Sequence, residues 1–334
     1  VRGGGFGRFA LVPVDREAVL LDSQTGDIFT LNQTAARIWE EHLQGESALS
    51  VANRLSTSFM IPAAQALVDV EATLDLGRLP RFPPPVSWCR FEASSQDFVL
   101  TLDGNELLYM NTGARTIRLA RNTHRAPENL VELIAPCAPR LADLLGIHVI
   151  HASAVAVAKG AWLFCGDSGA GKTTIARALG MAGAIAISED KVVLEKNARG
   201  EIVVREDGER TIRDWIGEAA DRLRSAPTEP VSFSQLGDAR AGAHREVRRV
   251  DFLDAQKRYP GSVFIETQVS ASEACVRLVQ ACFVGSHDRT RWLAHVEMAR
   301  GILRHPVCEL ACPEGLASIQ SAATSLLERT ARRL

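Results

Sequence analysis

At 334 residues the chain is long enough for two domains. Its 46% apolar and 23% charged residues are those of a globular protein, and a net charge of -2 gives no case for a general nucleic-acid binder. No apolar run reaches the roughly 18 residues that span a bilayer, and seven cysteines without a CxxC pair argue against a zinc site and for reduced thiols in a cytoplasm.

Residues 1–7 have no apolar signal core and read as a flexible tail. Residues 8–79 read as a small unit of their own. Glu17–Asp22 and Asp27–Leu31 are apolar-rich runs on either side of Ser23-Gln24-Thr25-Gly26, which is a hairpin signal. Asn32 is placed to cap a helix from Gln33 to His42, and Gly45 ends it. A second helix covers Ala48 to Thr57. Pro62 opens a third, through Leu76, with Ala66, Val70 and Leu74 on one face. A hairpin followed by three short helices is a winged-helix pattern. The third helix holds no Lys or Arg, which argues against a DNA reader.

The run Leu31-Asn32-Gln33-Thr34-Ala35-Ala36-Arg37-Ile38-Trp39, after that hairpin, resembles the PqqD-like peptide-recognition domain. The resemblance implies that the unit holds the leader of a ribosomally made precursor peptide as an added edge strand, beside a groove on its last helix. In that mode main-chain bonds give affinity and pockets give selectivity. The implied partners are the precursor peptide or protein and other peptide-modifying enzymes. A module with only a packing role is the alternative.

Residues 80–86, rich in proline, read as a stiff linker, and residues 87–334 as the second domain. Arg90–Ala93, Phe98–Leu102 and Leu107–Met110 read as strands, with a turn at Asp103-Gly104. They carry no assignable chemistry. Pro127 to Leu145 is helical in pattern, interrupted at Pro136. Val149–Val157 reads as a strand, Ala158-Lys159-Gly160 as a tight turn, and Ala161–Cys165 as the next strand.

That strand delivers Gly166-Asp167-Ser168-Gly169-Ala170-Gly171-Lys172-Thr173-Thr174, which fits the P-loop spacing of Gly, four residues, then Gly-Lys-Ser/Thr. Glycines let backbone N–H groups wrap a phosphate chain, Lys172 reaches its end, and Thr173 offers a hydroxyl to Mg²⁺. The helix that follows adds its N-terminal dipole. Only five of the 38 basic residues are lysines, so one at this position carries weight.

His151 to Val157, the tight turn, Phe164 to Thr174, and Ile187-Ser188-Glu189-Asp190 resemble the HPr serine kinase/phosphorylase family. More closely, they are similar to the shorter HPr-kinase-related proteins found with peptide-modifying enzymes. The resemblance implies an α/β (α+β) P-loop kinase domain, kin to phosphoenolpyruvate carboxykinase, that uses ATP and Mg²⁺. It assigns Glu189 and Asp190 to two jobs, acceptance of a hydroxyl proton and, with Thr173, metal binding. The family usually has two Asp there, which leaves open which of the two is the base. His151 matches a family histidine beside the acid, where it either orients the acid or binds phosphate; a satisfied strand histidine is the alternative. No nucleic acid or membrane partner is implied. A homo-oligomer is left open.

Further on, Lys191–Leu194 and Ile202–Arg205 pair across Asn197–Gly200. Thr211 to Leu223 is a helix, with Trp215 in its apolar stripe. Residues 225–247 read as an irregular stretch, either disordered or an active-site flap. Strands are expected at 262–267 and 307–310, and helices at 271–282, 288–303 and 313–326. Arg289 and Arg291 either contact phosphate or form surface ion pairs. The expected function is an ATP-dependent kinase of a Ser or Thr hydroxyl on a leader-bound precursor peptide. The alternatives are an HPr-type protein serine kinase/phosphorylase, a kinase of a small hydroxyl compound, and a non-catalytic, nucleotide-gated peptide chaperone.

Overall fold

The structure, a computed structural model, describes residues 8–78, 81–82, 90–94, 97–102, 105–111, 113–120, 130–158, 160–227, 229–236, 243–283 and 289–333. The expected tail at 1–7, most of the linker and the Asp103-Gly104 turn lie outside them. The chain is mixed α/β and divides into two compact units. One is drawn from Val1–Val86, Val269–Gln280 and His287–Leu303, the other from Ser87–Gln268, Ala281–Ser286 and Arg304–Leu334.

The first unit is an antiparallel sheet in the order Phe9–Val14, Glu17–Asp22, Ile28–Leu31, Arg81–Phe82. Helices Gln33–Leu43, Ala48–Phe59 and Ala63–Leu74 follow the third strand. The expected caps are present. Asn32 Oδ1 accepts from the Ala35 N–H at 2.9 Å, and Ser47 caps the second helix in the same way. Phe9–Val14 has no counterpart in the sequence reading. Its Pro13 lacks a donor, which an edge strand tolerates. In the second strand Ala18 and Leu20 pack with Trp39 and Leu43 of the first helix. Val19 and Leu21 point the other way yet are buried too, and helix Ala271–Gln280 lies against the same strands. A sheet covered on both faces explains why this strand is a continuous apolar run rather than an alternating one. Ala271–Gln280 and Arg289–Ile302, expected within the 87–334 domain, therefore belong to this unit.

Among the described residues the second unit holds two sheets. One is an antiparallel meander in the order Val231–Ser232, Thr116–Leu119, Asn105–Asn111, Asp97–Leu102, Arg90–Ser94. Helix Gly208–Ser225 packs in the same core, burying Ile212, Trp215, Ala219 and Leu223. The Trp215 indole donates to the Ser232 carbonyl at 3.0 Å, as a core tryptophan should.

In the other sheet five strands close a ring of pairings. His148–Val157 pairs with Gly160–Cys165 and with Lys191–Lys196. The latter pairs with Ile202–Arg205, which pairs with His244–Phe252, which runs parallel to Gly160–Cys165. The expected hairpin before the glycine-rich loop is thus present. The expectation for 225–247 is corrected. Part of it is ordered as Val231–Ser232 and the turn Ser234–Leu236, and from His244 it enters a central strand. Residues 237–242 lie outside the described residues.

Candidate functional site

Gly160–Cys165 is buried along its whole length: strands pair with both its edges, and its Trp162 and Phe164 pack with Ile175 and Leu179 of the helix that follows. It ends at Gly166, whose φ is +152° and where a Cβ would sit 2.4 Å from the Leu253 carbonyl oxygen. Only glycine fits there. Gly171 has φ +99°, and a Cβ on it would come within 2.6 Å of Arg258 Nη2. Between them Asp167, Ser168 and Gly169 form the exposed tip, and the Ala170 N–H donates to the Asp167 carbonyl at 3.1 Å. Helix Lys172–Met181 then begins, with Thr173 and Thr174 half-exposed in its first turn.

Lys172 is 6% exposed. Its ammonium group donates to the carbonyls of Gly166 at 2.7 Å and Asp167 at 2.9 Å, and meets His151 Nε2 at 2.9 Å. An ammonium group only donates, so Nε2 accepts and the proton of a neutral His151 sits on Nδ1. That Nδ1 lies 3.0 Å from Asp190 Oδ1, which completes a chain Lys172–His151–Asp190. Lys191 Nζ holds the other oxygen of Asp190 at 2.8 Å. The His151 bond, against burial and aided by Lys191, keeps the Asp190 carboxyl well below the usual carboxylate range. Burial lowers the Lys172 ammonium from its ordinary value, against the pull of Asp190.

The Glu189 carbonyl accepts from Ser153 Oγ at 2.6 Å and from Thr173 Oγ1 at 3.4 Å. Its N–H donates to Glu209 Oε2 at 2.9 Å, and Ser188 Oγ donates to the same oxygen at 2.8 Å. The Glu189 carboxylate itself is out in solvent, paired with Arg177 at 2.9 Å. His151, Lys172, Thr173, Glu189 and Asp190 thus gather in one bonded cluster beside the loop.

Arg289 and Arg291 do not share this unit, since their helix belongs to the first. The Arg289 side chain lies outside the described residues. Three residues that support the loop and the Glu189-Asp190 turn, the acid turn, have no role in the sequence reading. Arg258 Nη2 donates to the Ala170 carbonyl at 2.9 Å from 88 positions away. Ser153 and Glu209 bracket Glu189 from a strand and a helix start that precede and follow it.

The first unit carries a PqqD domain. Residues 17–76 match the family described as coenzyme PQQ synthesis protein D (PqqD). No curated protein matches the chain. Among solved structures, the Hpr(Ser) kinase/phosphatase from Coxiella burnetii is similar at 11% identity and a TM-score of 0.25, over 56% of this chain and 99% of that one. No helix among the described residues is long and apolar enough to cross a membrane.

Proposed function

We propose that the chain is an ATP-dependent kinase that transfers the γ-phosphate to a Ser or Thr hydroxyl of a precursor peptide, whose leader is held by the PqqD domain. The observation that carries the reading is the chain from Lys172 through His151 to Asp190, set at the base of a loop in which Gly166 and Gly171 leave no room for a Cβ. MgATP supplies the phosphoryl group and its charge compensation. The backbone N–H groups of the loop other than that of Ala170, together with the Lys172 ammonium, bind phosphate oxygens. Thr173 and the ionised Asp190 are oxygen donors of the kind a hard cation takes. His151 orients Asp190, and Glu189 accepts the hydroxyl proton. Arg258, half-buried against Gly171 and bonded to a loop carbonyl, adds a second cation to the phosphate site.

The test is intact mass of the precursor peptide after incubation with ATP and Mg²⁺. The expected result is added phosphate on the full-length peptide and a raised apparent KM for the leaderless one, since tethering sets an effective acceptor concentration of about millimolar. The peptide rather than the protein is truncated, because residues 8–82 and helix Ala271–Gln280 share one compact unit. A second reading, a nucleotide-gated chaperone, is favoured by the Arg177–Glu189 pair, which occupies the carboxylate that would take the proton. Unchanged peptide mass with nucleotide-dependent peptide binding would establish it.

A further inference from the structure

The backbone of Glu189 is held on both its N–H and its carbonyl by side chains far apart in sequence. Its carbonyl takes the hydroxyl of Ser153, a residue with no exposed surface on strand His148–Val157. Its N–H meets Glu209 Oε2 at 2.9 Å, and that oxygen also accepts from Ser188 Oγ at 2.8 Å. Glu209 stands in the first turn of helix Gly208–Ser225, where the helix dipole favours a carboxylate. The helix start is itself fixed, because Gly208 is pressed so closely on Val193 that a Cβ there would lie 2.5 Å from it. The oxygen that caps the acid turn therefore rests on a rigid element anchored to the adjacent strand.

We propose that Glu209 is the positioning residue of the acid turn. By accepting from Ser188 and Glu189 together it fixes the backbone on which Glu189 and Asp190 are mounted, and so keeps Asp190 on His151. The role in transfer rests on the phosphoryl-transfer reading above; the effect on the turn does not. Errors of about 1 Å in a catalytic group cost on the order of a hundredfold in rate, so a turn held on one side only transfers poorly.

The experiment compares Glu209→Ala with Glu209→Gln in the full chain, reading amide hydrogen exchange at Ser188 and Glu189 beside transfer kinetics. Gln keeps an oxygen that accepts both bonds, whereas Ala keeps none. Glu209→Ala is expected to speed exchange at Glu189 about tenfold and to lower kcat about tenfold, with KM for ATP unchanged. Glu209→Gln stays within about twofold of the parent in both readouts. Unchanged exchange in Glu209→Ala would overturn the proposal, and so would a Gln variant as impaired as the Ala variant, since the charge and not the bonds would then act. If the parent transfers no phosphate but the exchange pattern holds, the kinase reading falls and the positioning of the turn stands.

Discussion

Two chains of charged groups in the second unit are built in opposite ways. In one, Arg249 Nε meets both oxygens of Asp251 at 3.1 Å, Nη1 reaches Thr330 Oγ1 at 3.3 Å, and the Trp162 indole donates to Asp251 at 2.9 Å. The guanidinium also lies 4.6 Å from the centre of the Trp162 ring. Asp251 has no exposed surface and Arg249 only 4%. Burial pushes the Asp251 carboxyl up to about 6, against the pull of Arg249. In the other chain only Lys172 is buried, while the side chains of His151 and Asp190 are 34% and 45% exposed. The Asp190 carboxyl is held down rather than pushed up. The same kinds of group make a sealed structural pair where water is excluded. At the end of a strand beside a loop they make an ionised, reachable acid.

The largest expected effect falls on the sealed pair. Arg249→Met leaves Asp251 buried without its cation and costs about 3–5 kcal/mol near pH 8. The sign with pH follows from the raised carboxyl. Asp251 binds its proton more tightly folded than unfolded, so its contribution to stability is full below the free value of about 3.9 and is lost as pH rises through about 6. Without Arg249 the folded value rises further. The deficit of the variant is therefore largest at pH 8 and shrinks toward pH 5. Urea unfolding at the two pH values measures it, and an equal deficit at both would remove the distinction drawn between the two chains.

The open chain should respond in activity rather than stability. Lys172→Ala is expected to lower phosphate transfer by about 10²–10³, the loss seen when one preorganised donor to developing charge is removed. The midpoint of urea unfolding should move little by comparison with Arg249→Met. Arg258→Gln comes next. Gln carries no charge and its amide nitrogen stops two bonds short of the Ala170 carbonyl, so affinity for ATP is expected to fall about tenfold. Titration calorimetry with ATP reads it directly. An unchanged affinity would confine Arg258 to loop support.

The same contrast shows what the sequence could and could not reveal. The open site was readable because its residues lie in short motifs: the loop with Lys172, His151 on the strand before it, Glu189-Asp190 at the end of the strand after it. The sealed pair was not. Arg245, Glu246, Arg248 and Arg249 make the start of strand His244–Phe252 look like a polar loop, and it is pairings made after folding, such as Arg249 with Asp251 and Arg245 with Glu206, that make its charges compatible with a central strand. Phe9–Val14 escaped because Pro13 breaks the strand pattern. The apolar helices at 271–280 and 289–302 were legible as helices, but no local pattern states which sheet such a helix covers. Glu209 and Arg258 act through contacts made only after folding, and nothing in their neighbours marks them.

The smallest expected effect tests the exposed carboxylate next to the open chain in sequence. Arg177 and Glu189 pair at 2.9 Å with side chains 68% and 54% exposed, so solvent screens them and the pair adds at most about 0.5 kcal/mol to stability. Arg177→Gln should leave unfolding almost unchanged. Its effect on transfer separates the two readings of Glu189. If Glu189 is the base, freeing it from Arg177 keeps or raises kcat, because the carboxylate no longer exchanges partners before taking the hydroxyl proton. If the pair instead holds Glu189 in a turn that only senses nucleotide, peptide release on nucleotide binding changes and no phosphate appears on the peptide in either protein. Intact mass and peptide binding, measured on the same variant, give both answers.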